Sequence, residues 1–168
     1  MDIASSSGFP AVAQTDARLL ILGSLPGVRS IQENQYYAHP RNSFWRIMAA
    51  LTGAGGDYGQ RCQTLLKHKI ALWDVLASSV RPGSLDADID MSTAKANDFS
   101  AFLAEHSTID RICFNGQKAA KIFASRVQLD ASQAGIQMLT LPSTSPAHAA
   151  MDYAEKLEHW RSAITVRI

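Results

Sequence analysis

Hydrophobic positions along the chain fall into blocks that predict buried strands separated by helices. Short, continuously apolar runs are typical of strands that helices cover on both faces. Such runs predict four strands, at residues 18–22, 70–76, 110–114 and 136–141. Apolar residues at helical spacing predict helices at residues 42–51, 58–68, 117–127 and 151–164. One more helix is expected to start at a cap formed by Ser92 or Thr93 and to run to about His106.

Strands that alternate with helices imply a mostly parallel sheet with helices on both of its faces. We therefore predict an α/β fold, a three-layer α/β/α sandwich around a central, mostly parallel four-stranded sheet. The 168 residues fit one domain, and no repeat or internal linker divides them. Residues 16–168 are predicted to form that single domain, and residues 1–15 a flexible N-terminal leader.

Composition narrows the class of protein without identifying it. Hydrophobic residues make up 46% of the chain and charged residues 18%, as in ordinary globular domains. With a formal net charge of +1, any anion-binding site has to come from local clustering of side chains. Cys62 and Cys113 are too few and too far apart for a disulfide framework or a metal-binding motif. No apolar run could span a membrane and no signal peptide is evident, so we expect a cytoplasmic protein.

Each predicted strand runs into a distinctive polar segment at its carboxyl end. These segments are residues 23–27 (GSLPG), 73–74 (WD), 115–116 (NG) and 142–146 (PSTSP). In open parallel sheets, ligand sites gather at the carboxyl ends of the strands, so we expect the four segments to converge on one cleft. Neither a Gly-x-Gly-x-x-Gly motif nor a phosphate-binding lysine loop follows the first strand, which excludes the common nucleotide-cofactor motifs.

The long loop between the first strand and the next helix carries side chains suited to binding a nucleic acid. Tyr36 or Tyr37 could stack on a base, since aromatic faces bind extruded bases at about 1–3 kcal/mol each. His39 could contact phosphate or a leaving group, and Asn42 could position a water molecule. Both tyrosines could equally be packing residues, and His39 a structural one.

Polar residues at the other strand ends extend this interpretation. The amide of Asn115 could donate to and accept from a base edge, and by rotating it could serve more than one base. Alternatively, Asn115 could be a turn residue, since the Asn-Gly pair favours a turn. Ser143 and Ser145 lie between two prolines in a stiffened loop suited to gripping a phosphodiester backbone, unless it is a plain connector. Asp74 could orient water, read a base N–H or be structural. His148 is open to the same alternatives as His39.

The motifs together resemble those of the uracil-DNA glycosylase superfamily. Residues 23–27 are similar to its first motif, Gly-x-x-Pro-Gly, which implies that Gly23 and Ser24 contact substrate. Residues 39–45 resemble the His-Pro-x-Asn-x-Phe-Trp run of its mismatch-specific branch. The fuller set resembles the hypoxanthine-DNA glycosylase branch over about residues 18–164; it consists of YYAHPRNSFW, LWDV, RPGSLD, FNG and LPSTSPA.

The resemblance implies hydrolysis of the N-glycosidic bond of a deaminated base flipped out of DNA, with no metal or organic cofactor. Several branches place a water-orienting asparagine at the third position of the first motif, where this chain has Leu25. That role is therefore expected to fall to Asn42, with Asn115 as the base-recognition candidate. The hypoxanthine branch more often has asparagine where this chain has His148, which leaves the role of that position open.

The predicted function is a monomeric DNA glycosylase acting on hypoxanthine, with uracil or xanthine as further substrates. One alternative is a uracil-specific glycosylase. Another is a non-catalytic sensor that binds damaged DNA, because Leu25 removes a catalytic group found in relatives. A third is an α/β hydrolase of small nucleosides, which would turn over free inosine.

Overall fold

The structure is a computed structural model that describes residues 5–83 and 85–164. Within them the strands are β1 (Ser5–Ser7), β2 (Leu19–Gly23), β3 (Ile70–Asp74), β4 (Leu76–Val80), β5 (Asp90–Ala96), β6 (Arg111–Asn115) and β7 (Gln137–Leu141). The helices are α1 (Val28–Glu33), α2 (Phe44–Thr52), α3 (Tyr58–Lys67), α4 (Phe99–Glu105), α5 (Gln117–Arg126) and α6 (Tyr153–Ile164). Two 3-10 helices are present in addition, at Asp86–Asp88 and Ala131–Gln133.

A four-stranded parallel sheet lies at the centre, in the order β3-β2-β6-β7. Its three strand pairings, β2 with β3, β2 with β6 and β6 with β7, are all parallel. All four carboxyl ends therefore lie at the same edge of the sheet. The predicted α/β class and the four predicted strands are confirmed, with ends shifted by one or two residues.

Two hydrophobic clusters cover the two faces of this sheet. Alternate residues of a strand point to opposite faces, so Leu20 and Leu22 of β2 pack with α4 and α5 on one face. Leu19 and Ile21 pack with α2, α3 and α6 on the other face. All residues of β2 are buried, as expected for a strand covered on both sides. The three-layer arrangement is therefore confirmed.

A second, antiparallel sheet was not predicted. It has three strands in the order β1-β4-β5, and β4 follows β3 almost directly. The apolar run at residues 70–76, predicted as one strand, is thus divided between the two sheets. The helix expected to run to about His106 is present as α4, but its predicted start is wrong: Ser92 and Thr93 lie in β5. Helix α4 begins only after Asp98, whose carboxylate accepts the backbone N–H of Ala101 at 3.1 Å.

The N-terminal segment is not the loose leader predicted over its described part, residues 5–15; residues 1–4 lie outside the described residues. Strand β1 pairs with β4, and Val12 forms a bridge with Leu72 of β3. Further along, the hydroxyl of Tyr36 donates to the carbonyl oxygen of Pro10 at 3.1 Å. Backbone pairing thus joins this segment to both sheets.

Replacing Tyr36 with phenylalanine should loosen the N-terminal segment, because the carbonyl of Pro10 loses its buried donor. We expect a loss of about 1–2 kcal/mol in the free energy of unfolding and faster amide exchange in residues 6–12. Denaturant unfolding and hydrogen–deuterium exchange measure the two effects. Tyr153→Phe is the matched control, since the contact of that ring with Arg46 does not use the hydroxyl. Unchanged exchange in residues 6–12 would contradict the anchoring role.

Candidate active site

A cavity of about 660 Å³ opens where the carboxyl ends of the parallel strands meet. The predicted convergence of the polar strand-end segments is therefore confirmed. The sequence-predicted residues that line this cavity are Gly23, Ser24, Tyr36, Tyr37, His39, Asn42, Asp74, Asn115, Ser143, Ser145 and His148.

Gly23 and Asp74 form the floor of the cavity. They are paired in register at the ends of β2 and β3. A Cβ atom on residue 23 would lie 2.6 Å from Asp74 Oδ1 and 2.8 Å from the Tyr37 hydroxyl oxygen, closer than carbon and oxygen can approach. Glycine is therefore required at this position because two polar groups close over its backbone, rather than because the chain turns there.

Asp74 is a buried carboxyl group at the base of the cavity. It is 3% exposed, and its Oδ2 atom has no hydrogen-bond partner among the described residues. Burial is the main reason that its pKa is raised to about 7, the Asp86 carboxylate raises it further, and the Arg81 guanidinium opposes the shift. Near neutral pH, this carboxyl therefore exists in both protonation states and can accept or donate a hydrogen bond.

Asp86 and Arg81 belong to the site but were not identified from the sequence. The hydroxyl of Ser24 donates to Asp86 Oδ2 at 3.1 Å, and burial raises the pKa of Asp86. The guanidinium of Arg81 donates to the backbone carbonyl oxygens of Leu25 and Pro26. Both residues lie in the motif RPGSLD, which was the only feature of the sequence that could have identified them as site residues. Ser84 of this motif lies outside the described residues.

Asn42 lies on the cavity at the start of α2. Its side-chain oxygen accepts the backbone N–H of Phe44 at 3.0 Å, which fixes the orientation of the amide. The Nδ2 group is therefore the part of the side chain best placed to hold a water molecule or substrate. Leu25, the third residue of the GSLPG segment, is an apolar residue only 6% exposed at the cavity wall.

The two tyrosines have different environments although they are adjacent in sequence. Tyr36 is 3% exposed, and its ring packs edge-on against Phe9 at 5.2 Å between centroids. It borders the cavity but has no free face for a base, so the stacking role suggested for it is wrong. Tyr37 adopts a left-handed backbone with φ of 54° and stacks on Phe44 at 4.1 Å. Tyr37 alone stays a candidate for contact with a base.

Asn115 is held rigidly by Thr144, a residue that the sequence analysis did not single out. Its Nδ2 donates to Thr144 Oγ1 at 2.9 Å, and its Oδ1 accepts the backbone N–H of Thr144 at 2.9 Å. The carbonyl oxygen of Thr144 also accepts the N–H of Ser43 at 3.0 Å. Thr144 thus connects the end of β6, which carries Asn115, to the start of α2, next to Asn42.

The hydroxyl-rich loop, residues 142–148, is shaped by its own side chains. The oxygen of Ser143 accepts the N–H of Ser145, and the oxygen of Ser145 accepts the N–H of Ala147, each at 3.2 Å. Both hydroxyl hydrogens can then be donated to a ligand. His148 lies on the same rim, half-buried.

His39 is exposed on the rim of the cavity. Its Nδ1 atom accepts the backbone N–H of Arg41 at 3.1 Å. In the neutral imidazole this places the hydrogen on Nε2, which can donate to a phosphate or a base. The structure therefore assigns His39 a local structural contact and leaves its other nitrogen for a ligand.

Among residues 5–83 and 85–164, no group of three or more histidine, cysteine or acidic side chains is arranged to hold a metal ion. No helix in that part of the chain is both long and apolar enough to cross a membrane.

A parallel sheet between two helical layers, with a polar cavity at the carboxyl ends of its strands, defines an α/β enzyme. Comparison with known proteins gives the family. The chain matches the model of the uracil DNA glycosylase superfamily over residues 9–165. It therefore belongs to that superfamily, and the predicted class of DNA N-glycosylase is confirmed.

Individual relatives agree with this assignment. A hypoxanthine DNA glycosylase from Methanosarcina acetivorans is 40% identical over 117 residues, which cover 68% of this chain and 73% of that relative. A hypoxanthine DNA glycosylase from Methanosarcina barkeri is 38% identical over 117 residues, with the same coverage. The solution NMR structure of a candidate uracil DNA glycosylase from M. acetivorans has a TM-score of 0.79 at 33% identity, and covers 96% of this chain and 97% of that one.

Replacing Gly23 with alanine should displace Asp74 and Tyr37, because the new methyl group has no room. We expect the free energy of unfolding to fall by about 1–3 kcal/mol, as for other overpacked sites, and release of a target base from DNA to be lost. Urea denaturation and a base-release assay test the two effects. Gly55→Ala is the control, since a Cβ there meets nothing closer than 3.8 Å. Equal behaviour of the two variants would contradict the close approach.

The stability of the protein should depend on pH through Asp74. Its pKa rises from the ordinary 3.8 to about 7 on folding, so between these values the folded state binds more protons than the unfolded state. Stability contributed by the neutral carboxyl is therefore lost as pH rises from 4 to 7, by up to about 1.4 kcal/mol per pH unit. Asp74→Asn should remove this part of the slope in urea titrations at pH 5 and pH 8. Asp16→Asn, at an exposed carboxyl, should retain it.

Proposed function

We propose that this member of the superfamily hydrolyses the N-glycosidic bond of hypoxanthine in DNA, with uracil and xanthine as weaker substrates. The observation that carries the proposal is the buried carboxyl of Asp74, whose Oδ2 has no partner among residues 5–83 and 85–164, at the floor of a cavity lined by Tyr37 and Asn115. The relatives named hypoxanthine DNA glycosylase, at 40% and 38% identity, support the choice of base.

Water attack is assigned to Asn42. Breaking the glycosidic bond leaves positive charge on the sugar and negative charge on the departing base, so a weakly activated water can react once it is positioned. Its oxygen bonds to the sugar carbon, and the proton it releases neutralises the departing base. The Nδ2 group of Asn42 would bind that water, while its oxygen stays bonded to Phe44. Catalysis then rests on preorganised polar groups rather than on a strong base.

Recognition of the base edge is assigned to Asp74 and Asn115. Hypoxanthine presents one N–H next to a carbonyl oxygen, so it needs one acceptor and one donor from the protein. Ionised Asp74 accepts from the N–H, and protonated Asp74 donates to a ring nitrogen or carbonyl oxygen. Uracil presents the same N–H beside a carbonyl, which explains why uracil is the second substrate of this proposal.

Charge determines which end of the nucleotide enters the cavity. Asp74 and Asp86 together make the floor acidic, which disfavours phosphate there and favours a neutral base. Ser143, Ser145 and the exposed Arg41 lie on the rim, where flanking phosphates of a DNA strand would be bound. The ring of Tyr37, held by Phe44, would contact the base from the side.

We also propose that the enzyme works as a monomer in a reducing cytoplasm. Both cysteines are free and buried in the hydrophobic core, where they form no disulfide. Burial raises the pKa of the Cys113 thiol to about 12, which keeps it in the unreactive thiol form.

The direct experiment measures base release from oligonucleotides that carry hypoxanthine, uracil or xanthine. The wild type should release hypoxanthine fastest, and Asn42→Ala and Asn115→Ala should each be about 100-fold slower or worse in single-turnover rate, as for loss of a catalytic hydrogen-bonding group. Gln63→Ala is the control, since it removes an exposed amide on α3 outside the cavity lining.

Each alternative predicts a different result in this assay. Full activity of Asn42→Ala would remove the water-positioning assignment. A uracil-specific enzyme would release only uracil. A damage sensor would bind the hypoxanthine duplex selectively and release no base, and a nucleoside hydrolase would turn over free inosine.

A further inference from the structure

Lys156, on α6, is a buried lysine without a counter-charge in the described part of the chain. It is only 6% exposed, and none of the ion pairs formed within residues 5–83 and 85–164 includes its ammonium group. Asp152, four residues earlier, has the helical spacing of a partner, but its carboxylate accepts the backbone N–H of Glu155 at 2.9 Å. Burying an unpaired charge is costly. The ammonium of Lys156 therefore needs an anion that the described residues do not supply.

Lys156 lies behind the hydroxyl-rich loop at the rim of the active-site cavity. Its Nζ donates to the carbonyl oxygen of Ser145 at 3.4 Å. Trp160, one turn further along α6, donates to the carbonyl oxygen of Pro142 at 2.9 Å. One face of α6 thus holds the loop at two points, and Ser145 itself lines the cavity. The positive charge is therefore located directly behind a residue of the cavity wall.

The contact with Ser145 does not account for a charged group at this position. At 3.4 Å it is longer than an ordinary N–H···O hydrogen bond. The carbonyl oxygen of Ser145 also accepts the backbone N–H of His148 at 3.0 Å, so it has a donor without the lysine. Burial lowers the pKa of Lys156, which is the direction expected of an ammonium that lacks a nearby anion. The charge, rather than the hydrogen bond, is the feature that requires a partner.

We propose that the ammonium of Lys156 is the counter-charge for the DNA phosphate that the hydroxyl-rich loop binds. The hydroxyl groups of Ser143 and Ser145 donate to the phosphate oxygens, and Lys156 behind them offsets the negative charge. Because the ammonium is buried, dissolved salt screens this attraction less than it screens an attraction between surface charges. The inference deepens the proposed function and rests on it, since the proposed function assigns a DNA phosphate to this loop.

Neighbouring cations do not fill the same role. The loop at residues 142–148 contains no lysine or arginine, so a permanent positive charge has to come from another element. Arg46 is engaged with the ring of Tyr153, 3.6 Å from its centroid. Arg29 is exposed and paired with Glu33. Lys156 is the cation that contacts the backbone of the loop directly.

The test measures the binding of two duplexes to the wild type and to Lys156→Met. Both carry 2′-fluoro deoxyinosine, because the fluorine destabilises positive charge on the sugar and slows cleavage. In the second duplex, neutral methylphosphonates replace the phosphates that flank this nucleotide. Lys156→Met should weaken binding of the first duplex about 10-fold, equivalent to about 1.4 kcal/mol. Binding of the second duplex should change by less than about twofold, since the charge that the lysine meets is already absent.

Salt dependence gives a second measurement on the first duplex. The slope of log Kd against log salt concentration should be smaller by about 0.9 in Lys156→Met, as for the loss of one phosphate contact. Lys67→Met is the matched control and should change neither binding nor slope. Lys67 is exposed at the end of α3, shortly before β3 begins, and so lies at the edge of the sheet opposite the cavity.

Stability separates this role from a purely structural one. Lys156→Met removes a buried charge and keeps a side chain of similar length, so the free energy of unfolding should be unchanged or higher. A lysine that only braces the loop would instead lower stability and weaken binding of both duplexes equally, which overturns the proposal. Unchanged binding of the first duplex, or an unchanged salt slope, would overturn it as well.

Failure of the proposed function has a separate signature. If the wild type binds the duplexes but releases no base from unmodified deoxyinosine DNA, the glycosylase assignment fails. The comparison of the two duplexes then still decides the role of Lys156, because it needs binding but no bond cleavage. A wild type that binds neither duplex would overturn both proposals.

Discussion

The close approach of β2 and β3 at the pair Gly23 and Asp74 is the constraint on which the rest of the site depends. Parallel pairing in this register brings a carboxyl group over a backbone that carries no side chain. A slip of one residue would turn every side chain of β3 to the opposite face and place Asp74 in the hydrophobic core. Burying an unpaired carboxyl among the apolar side chains on either face of the sheet would be costly, so the core disfavours that slip and keeps Asp74 at the cavity.

The antiparallel sheet has a functional as well as a structural role. Strands β4 and β5 reverse the chain beside the cavity, and the turn between them brings Arg81, Leu85 and Asp86 to the carboxyl ends of the parallel strands. The guanidinium of Arg81 binds backbone carbonyl oxygens in the loop after β2. These hydrogen bonds keep the cavity wall formed by Leu25 and Pro26 in place. The cavity is therefore built by two sheets, of which only one supplies the strand ends expected of this class of fold.

The parts of the fold that could be predicted are those with strong local patterns. Continuous apolar runs identified the parallel strands, and their polar ends identified the lining of the cavity. Strand β5 (DMSTAKA) has small polar residues and is mostly half-exposed, so its pattern is weak and Ser92 and Thr93 looked like helix caps. The N-terminal segment pairs with residues about 60 or more positions away, which no local pattern records. The sequence could not show which of Tyr36 and Tyr37 is packed in the core. The left-handed backbone of Tyr37, which gives the two side chains different environments, leaves no mark in the sequence.

The paired hydrogen bonds between Asn115 and Thr144 limit how this enzyme can distinguish its substrates. A free asparagine could exchange its donor and its acceptor by rotating, and so fit different bases. Here rotation would set the amide NH2 against the backbone N–H of Thr144, two donors facing each other, so the amide presents a single fixed polarity. Under the proposed roles, adaptation to the base would come from the carboxyl of Asp74, which changes from acceptor to donor by taking up a proton. Base recognition by Asp74 in the proposed role would then depend on whether its carboxyl carries a proton, and the balance between bases should shift with the acidity of the medium.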